Sequence, residues 1–258
     1  VMGLQDDARY YSVLAGNVKK AFNKKFYNPE TRSYGDFGSN IFALVLGVPD
    51  DRYDDVVATL KHEISVKYDN HLNTGIFGTQ FFFETLALNG LNDIAYNAMN
   101  QEDFPSFGNW IKQGATVTWE KWNGADSRNH PMFGGGLTWF YRILAGVNVD
   151  AERPAYEHII IKPILDKRLP EVYYSHMTPY GEVVSEIRQT GRNLEMNVTV
   201  PVGSTATIYI PVGGNTSEVT ESGISVRDSK DVRFERIQDG NCIVRVPQGK
   251  YKFKVDNQ

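Results

Sequence analysis

The chain has 258 residues, 41% of them hydrophobic, with 27 basic against 31 acidic side chains and a net charge of −4. That is enough apolar material for one large core or two ordinary ones, while the few, unclustered positive charges argue against a nucleic-acid partner. The longest apolar run, IFALVLGV at 41–48, is far shorter than the roughly 20 residues a spanning helix needs, so no membrane partner is expected.

From Asp7 to Phe26, the residues Tyr10, Leu14, Val18 and Phe22 recur at four-residue steps, which predicts a helix with one core-facing side. The stretch before it lacks the basic and apolar regions of a signal peptide. A helix so near the start points to a chain that begins inside a larger protein, and periplasmic, secreted and cytoplasmic locations all stay open. Further helices are expected at 38–46, 51–65, 79–89 with Thr79 as N-cap, 92–100 and 133–145. Polar, glycine-rich loops such as NPETRSYGDFGSN and NHLNTGIFGT separate them and would form the mouth of a helical array. About six helices make roughly half of a twelve-helix hairpin toroid.

Beyond Ala151 the periodicity changes. Short β-branched and aromatic runs follow one another: YEHIIIK, EVVSEIR, LEMNVTVP, ATIYIPV, CIVRVP and YKFKV. In LEMNVTV, Leu194, Met196, Val198 and Val200 alternate with polar residues, the pattern of a half-buried strand. Turn chemistry separates the runs at TGRN, PVGST, VGGN, QDGN and PQGK. The fold class read from these patterns is α plus β in separate domains. Half a helical toroid occupies 1–150, an antiparallel β-sandwich occupies 151–258, and GVNVDAERPAY at 146–156 joins them.

Chemistry concentrates in TVTWEKW at 116–122 and SRNHPMFGGG at 127–136. Glu120 has an ordinary reading, a surface carboxylate between two core tryptophans. Its other reading is catalytic: Trp119 and Trp122 would flank it, reduce its hydration and raise its proton affinity, as suits a general base, and their rings would stack on the apolar face of a sugar. Arg128, Asn129 and His130 offer donors for hydroxyl recognition or for orienting a carboxylate, and Pro131 opens the next helix. The triplet Gly134, Gly135 and Gly136 lacks the spacing of a nucleotide loop and is read as close packing or backbone approach to a ligand. His71 lies in a loop that a ring of loops would bring near the pocket, and Trp110 is a packing residue or a sugar-stacking one. The five histidines form no HxxxH pair and Cys242, read as a buried apolar side chain, is alone, so no transition metal or cofactor is expected; calcium on loop oxygens stays open.

Together YNPETRSYG, HLNTGIFGT, FPSFGNWIKQGATVTWEKWNG, SRNHPMFGG and YRILAGVNVDAERPAYEHIIIKP, in this order, resemble the C-terminal portion of the family 78 α-L-rhamnosidases over about residues 10–190. The resemblance implies an (α/α)6 barrel followed by a β-sandwich, and hydrolysis of terminal α-L-rhamnose with inversion. It places the family's base on Glu120 and its active-site histidine on His130, with a rhamnose-containing carbohydrate as partner. The loop between WEKW and NH is shorter than in many members. The general acid of the family belongs to the other barrel half; Asp36 is the best local acid, but the resemblance does not make it the proton donor. The missing barrel half, or self-association, is expected to cover the apolar face left open. Two other readings compete: another toroid carbohydrate enzyme, such as an unsaturated uronyl hydrolase or a lyase, and a non-catalytic carbohydrate-binding module.

Overall fold

A computed structural model describes residues 3–213 and 218–256. Two compact units divide the chain between Gly136 and Leu137.

Among its described residues the first unit carries six α-helices: α1 (Gln5–Phe26), α2 (Phe37–Leu46), α3 (Asp50–His62), α4 (Ile76–Leu88), α5 (Asn92–Met99) and α6 (Phe107–Lys112). Asp6 and Asp7 in the first turn of α1 and Lys24 and Lys25 in its last complement the helix dipole, as Asp50, Asp51, Lys61 and His62 do in α3. α3 runs on into a π-helical turn, Glu63–Lys67. α4 is apolar on nearly every side and is buried accordingly at Phe82, Phe83, Leu86 and Ala87; it packs against α2 and α5 and forms the centre of the unit.

Three expectations change. Thr79 is not an N-cap: α4 starts one turn earlier after Gly75, and the Thr79 hydroxyl donates back to the Gly75 carbonyl at 3.0 Å. The segment 133–145 is not an α-helix but a 3-10 stretch, Pro131–Leu137, and a π-helical stretch, Trp139–Leu144. The sixth α-helix is instead α6, capped by Ser106, whose hydroxyl accepts from the Asn109 N–H at 3.0 Å. The face of α1 expected to meet the core is also open: Tyr10, Leu14 and Val18 are 63%, 43% and 53% exposed, and only Asn23 of this helix is buried.

Among its described residues the second unit holds eleven strands in two sheets. One has the order β1 (Val147–Val149), β2 (His158–Ile161), β6 (Thr205–Pro211), β10 (Asn241–Val246), β9 (Arg233–Gln238). The other has the order β3 (Glu171–Thr178), β4 (Gly181–Thr190), β5 (Asn193–Val200), β11 (Gly249–Asp256), β7 (Glu218–Glu221), β8 (Ile224–Ser225). All pairings are antiparallel except β2 with β6, which run parallel because three strands of the other sheet intervene between them in sequence. The inward residues of both sheets share one core, Ile159, Ile208 and Val244 from the first and Ile187, Met196 and Phe253 from the second. The alternation predicted for β5 holds: Leu194, Met196, Val198 and Val200 are buried, and the first three face Val255, Phe253 and Tyr251 of β11. The turn joining β9 to β10 is Asp239–Gly240, both at positive φ as a two-residue hairpin requires. Of the expected turns, VGGN falls partly on 214–217, outside the described residues.

Candidate active site

Residues 118–130 form an irregular double-back rather than a helix. The Glu120 N–H donates to the Ser127 carbonyl at 2.8 Å, the His130 N–H donates to Thr118 at 2.9 Å, and the Thr118 hydroxyl returns to the His130 carbonyl at 2.6 Å. Backbone bonds thus hold the TWE and SRNH segments side by side. The return is tight at its tip, where Gly124 has φ 73°, Asp126 has φ 61°, and Lys121 pairs with Asp126 at 2.5 Å.

Under this loop lies a cluster of rings. Trp110, Trp119 and Phe133 are buried, with Trp122 and Phe107 half-buried against them. Trp110 sits 4.5 Å from Trp122 and 5.6 Å from Trp119 between centroids, and Phe133 is 4.4 Å from Trp122. Two indole N–H groups stitch the cluster to neighbouring segments: Trp110 donates to the Trp122 carbonyl at 2.8 Å, and Trp122 donates to the Thr74 carbonyl at 2.9 Å. The second of these bonds ties the WExW loop to the loop preceding α4.

Trp119 was expected to stack on the substrate, and Trp110 either to pack or to stack. They are 4% and 2% exposed and present no face to a sugar in this structure. Nor do the two tryptophans of TVTWEKW bracket Glu120; both rings belong to the packed cluster beneath it. Arg128 lies over the Trp119 ring at 4.6 Å, with its Nε donating to the Gly124 carbonyl at 3.0 Å, so the guanidinium closes the top of that ring. Asn129 is exposed and held through its backbone by the Ser127 hydroxyl at 3.2 Å.

Glu120 is half-buried, and its Oε2 accepts from the Ser127 N–H at 3.1 Å. A main-chain donor seven residues on therefore orients the carboxylate while leaving its other oxygen with no bond recorded among the described residues. His130 is half-buried with its Nδ1 sealed from solvent and lacking a hydrogen-bond partner. Asp36, at the start of α2, is exposed and accepts from the Ser39 hydroxyl at 3.2 Å.

His71 belongs to the same group of loops. Its Nδ1 meets the Tyr68 carbonyl at 3.1 Å and its Nε2 meets Asp103 at 2.8 Å. Burial alone would lower the proton affinity of this imidazole, but the hydrogen bonds to Asp103 and Tyr68 outweigh it and its pKa is raised; the same bond holds the Asp103 carboxyl low. Gln101 reinforces the contact by donating to the Asp69 carbonyl at 2.9 Å. Asp103 and Ser127 were not singled out from the sequence. Asp103 lies just before the run FPSFGNW, yet nothing in its spacing announces a partner 32 residues away. The Ser127 contribution is a backbone N–H, which no residue identity reveals.

Two glycines of the triplet pack against α4: a Cβ on Gly135 would lie 2.9 Å from Gln80 Cβ, and one on Gly136 would lie 2.9 Å from the Phe83 ring, whereas one on Gly134 would meet nothing within 4 Å. No group of three or more His, Cys, Asp or Glu side chains suited to a metal occurs among the described residues. No described helix is long and apolar enough to cross a membrane.

Residues 1–144 match the bacterial α-L-rhamnosidase 6-hairpin glycosidase domain, and residues 146–225 match the bacterial α-L-rhamnosidase C-terminal domain. This chain belongs to the bacterial α-L-rhamnosidases. A solved α-L-rhamnosidase from Dictyoglumus thermophilum is 34% identical, with a TM-score of 0.88 over 99% of this chain and 29% of its own. An α-L-rhamnosidase from Streptomyces avermitilis, solved in complex with L-rhamnose, is 25% identical with a TM-score of 0.85 over 96% of this chain and 24% of its own. An α-L-rhamnosidase of Formosa agariphila is 28% identical over 99% of this chain and 29% of its length. The chain therefore spans only 24–29% of the length of these rhamnosidases. Its six helices are about half of a six-hairpin ring, followed by the sandwich.

Proposed function

We propose that this chain is the part of an inverting α-L-rhamnosidase that carries the general base, with Glu120 in that role and a terminal α-L-rhamnosyl group of a glycan or glycoside as substrate. The observation that carries the reading is the hold on Glu120: a backbone N–H from Ser127 fixes one carboxylate oxygen on a loop clamped by main-chain bonds and packed on a cluster of five aromatic rings. A base that must take a proton from water on one face of a sugar needs this kind of fixed aim, because misplacement of the acceptor costs rate directly. His130, three residues beyond Ser127 on the same clamped loop, binds a sugar hydroxyl or steadies the base in this reading. Trp110 and Trp119 support the loop from below, while Trp122, Arg128 and Asn129 stand nearer its surface. We assign the general acid to the other barrel half, beyond this chain, since inversion requires a second carboxyl group roughly 6.5–9.5 Å from the first. The functional division near the 146–156 junction assigns chemistry to the helical part and support to the sandwich.

In the full-length enzyme, Glu120→Gln keeps the size and the Ser127 hydrogen bond but removes the proton acceptor. kcat on an aryl rhamnoside is expected to fall roughly 10²-fold or more with KM little changed. Activity within a few-fold of wild type would remove Glu120 from the mechanism. The first-formed anomer, followed by NMR, tests inversion separately. His130→Ala is expected to raise KM and lower kcat at an unchanged melting temperature; unchanged kinetics would return His130 to a packing role.

A further inference from the structure

The outer face of the five-stranded sheet in the second unit carries a cavity of about 170 Å³ that the reaction above does not use. Period-two alternation puts it there: Ile159, Ile161, Ile208 and Val244 point into the core, while His158, Thr207, Tyr209 and Arg245 point the other way and line the cavity. Its edge is made by a break in register. Phe234 pairs with Val244 and Arg236 with Ile243, so Glu235 is the extra residue of a bulge. Phe234 and Ile237 both pack on the core, three residues apart instead of two. The bulge thus turns Arg236 outward, where uninterrupted alternation from Phe234 would aim it inward.

Three guanidiniums, Arg153, Arg236 and Arg245, line this small space against two carboxylates, Asp150 and Glu235, in a chain of net negative charge. The carboxylates neutralise them loosely. Arg153 is 3.6 Å from Asp150 and Arg245 is 3.6 Å from Glu235, both longer than a charge-assisted hydrogen bond, and Glu235 lies closer to Arg233, at 3.1 Å, which is not part of the lining. At the floor, His158 is 3% exposed and bonded through both ring nitrogens to the Thr205 and Thr207 hydroxyls. Burial, and then the positive charges of Arg153 and Arg245, hold its pKa low, so the floor stays a neutral polar surface. Tyr209 contributes a half-buried ring. Glu235, Arg236 and Arg245 lie beyond residue 225, where the match to the C-terminal domain ends.

We propose that this cavity binds an acidic sugar through its carboxylate or sulfate ester, with the guanidiniums of Arg153, Arg236 and Arg245 taking the anion. Planar forks pair with carboxylate or sulfate oxygens, and the Tyr209 ring and the Thr207 hydroxyl suit an attached sugar ring. The volume is below the roughly 300–1,000 Å³ of a drug-sized pocket and fits one residue of a chain. The sugar part of the ligand rests on the carbohydrate reading above; the anionic part does not.

Isothermal titration of the 258-residue chain with glucuronate, glucose 6-sulfate, glucose and inorganic sulfate tests the proposal. At least one acidic sugar is expected to bind more tightly than glucose and than inorganic sulfate, and to weaken as sodium chloride is added. The stronger of the two identifies the anion. Arg245→Gln, an exposed position, is expected to lower that affinity about tenfold or more without shifting the melting temperature, and Arg236→Gln provides the same test on the edge strand. Acidic sugars that bind no better than glucose, inorganic sulfate that binds as tightly as the sugars, or folded variants of both arginines that bind like wild type would each overturn it. The Glu120 kinetics read a different unit, so failure of the rhamnosidase reading is separately visible.

Discussion

At the scale of single residues, Gly124 shows how closely the WExW loop is built. Its φ is 73°, and a Cβ there would lie 2.7 Å from Cζ3 of Trp119. Gly124→Ala combines an unfavourable backbone conformation with a clash against a buried ring, at an expected cost of about 1–3 kcal/mol. Urea unfolding followed by tryptophan fluorescence measures it, since three of the four tryptophans belong to this cluster. A midpoint equal to wild type would mean that the loop shifts freely and does not hold Glu120 in place. Arg128 fits the same picture: placed by sequence as a hydroxyl donor, it is engaged with Trp119 and Gly124.

At the scale of elements, the loops before α4 and before α6 are joined by His71 and Asp103. The pKa of His71 is raised, so its stabilisation is complete below its unfolded value and lost as pH rises through the folded one; the pKa of Asp103 is lowered, so its part is present above its unfolded value and lost as pH falls through the folded one. The tie is therefore fully formed between about pH 4 and pH 6.5, the ordinary values of the two groups, and weakens on either side. Asp103→Asn is expected to lower the His71 pKa, read from its imidazole protons by NMR, and to flatten the decline of the melting temperature above neutral pH. An unchanged His71 titration would show that Asp103 does not engage it in solution. Four of the five strands that sequence reading passed over, all but the interior β7, have an element-level cause as well. β1, β3, β8 and β9 are the four sheet edges, and an edge strand satisfies one ladder and buries less, so its apolar alternation is weak. β9 also carries the bulge, which breaks the period of two.

At the scale of the whole molecule, the helical unit leaves apolar surface open where its ring is incomplete. Tyr10, Tyr11, Val13, Leu14 and Val18 of α1 are all exposed, a contiguous stripe of a kind that monomers seldom leave uncovered. The isolated 258-residue chain is expected to self-associate in light scattering and to show no turnover of an aryl rhamnoside beside the full-length enzyme, because one carboxylate cannot both activate water and protonate the leaving oxygen. A monomeric chain that matched the full enzyme would place the acid within these residues, with Asp36 the first to replace.

Local rules reached far along this chain. Helical and strand periods located five of the six described α-helices and revealed a helical part followed by a sheet part, because burial on one face writes its period into the sequence. The chemistry-bearing segment was equally legible, since an acid between tryptophans followed by Arg-Asn-His is a pattern of residue types. Tertiary structure alone decided what those residues do to one another. Trp110 and Trp119 became a floor, because rings from α6, the WExW loop and Phe133 meet only when three segments fold together. Glu120 took its orientation from a backbone N–H, and His71 found Asp103 across 32 residues. Arg236 faced outward only because a bulge displaced the alternation. Contacts between distant segments, and bonds made by the main chain, depend on where the chain goes in space, which residue identities do not encode locally.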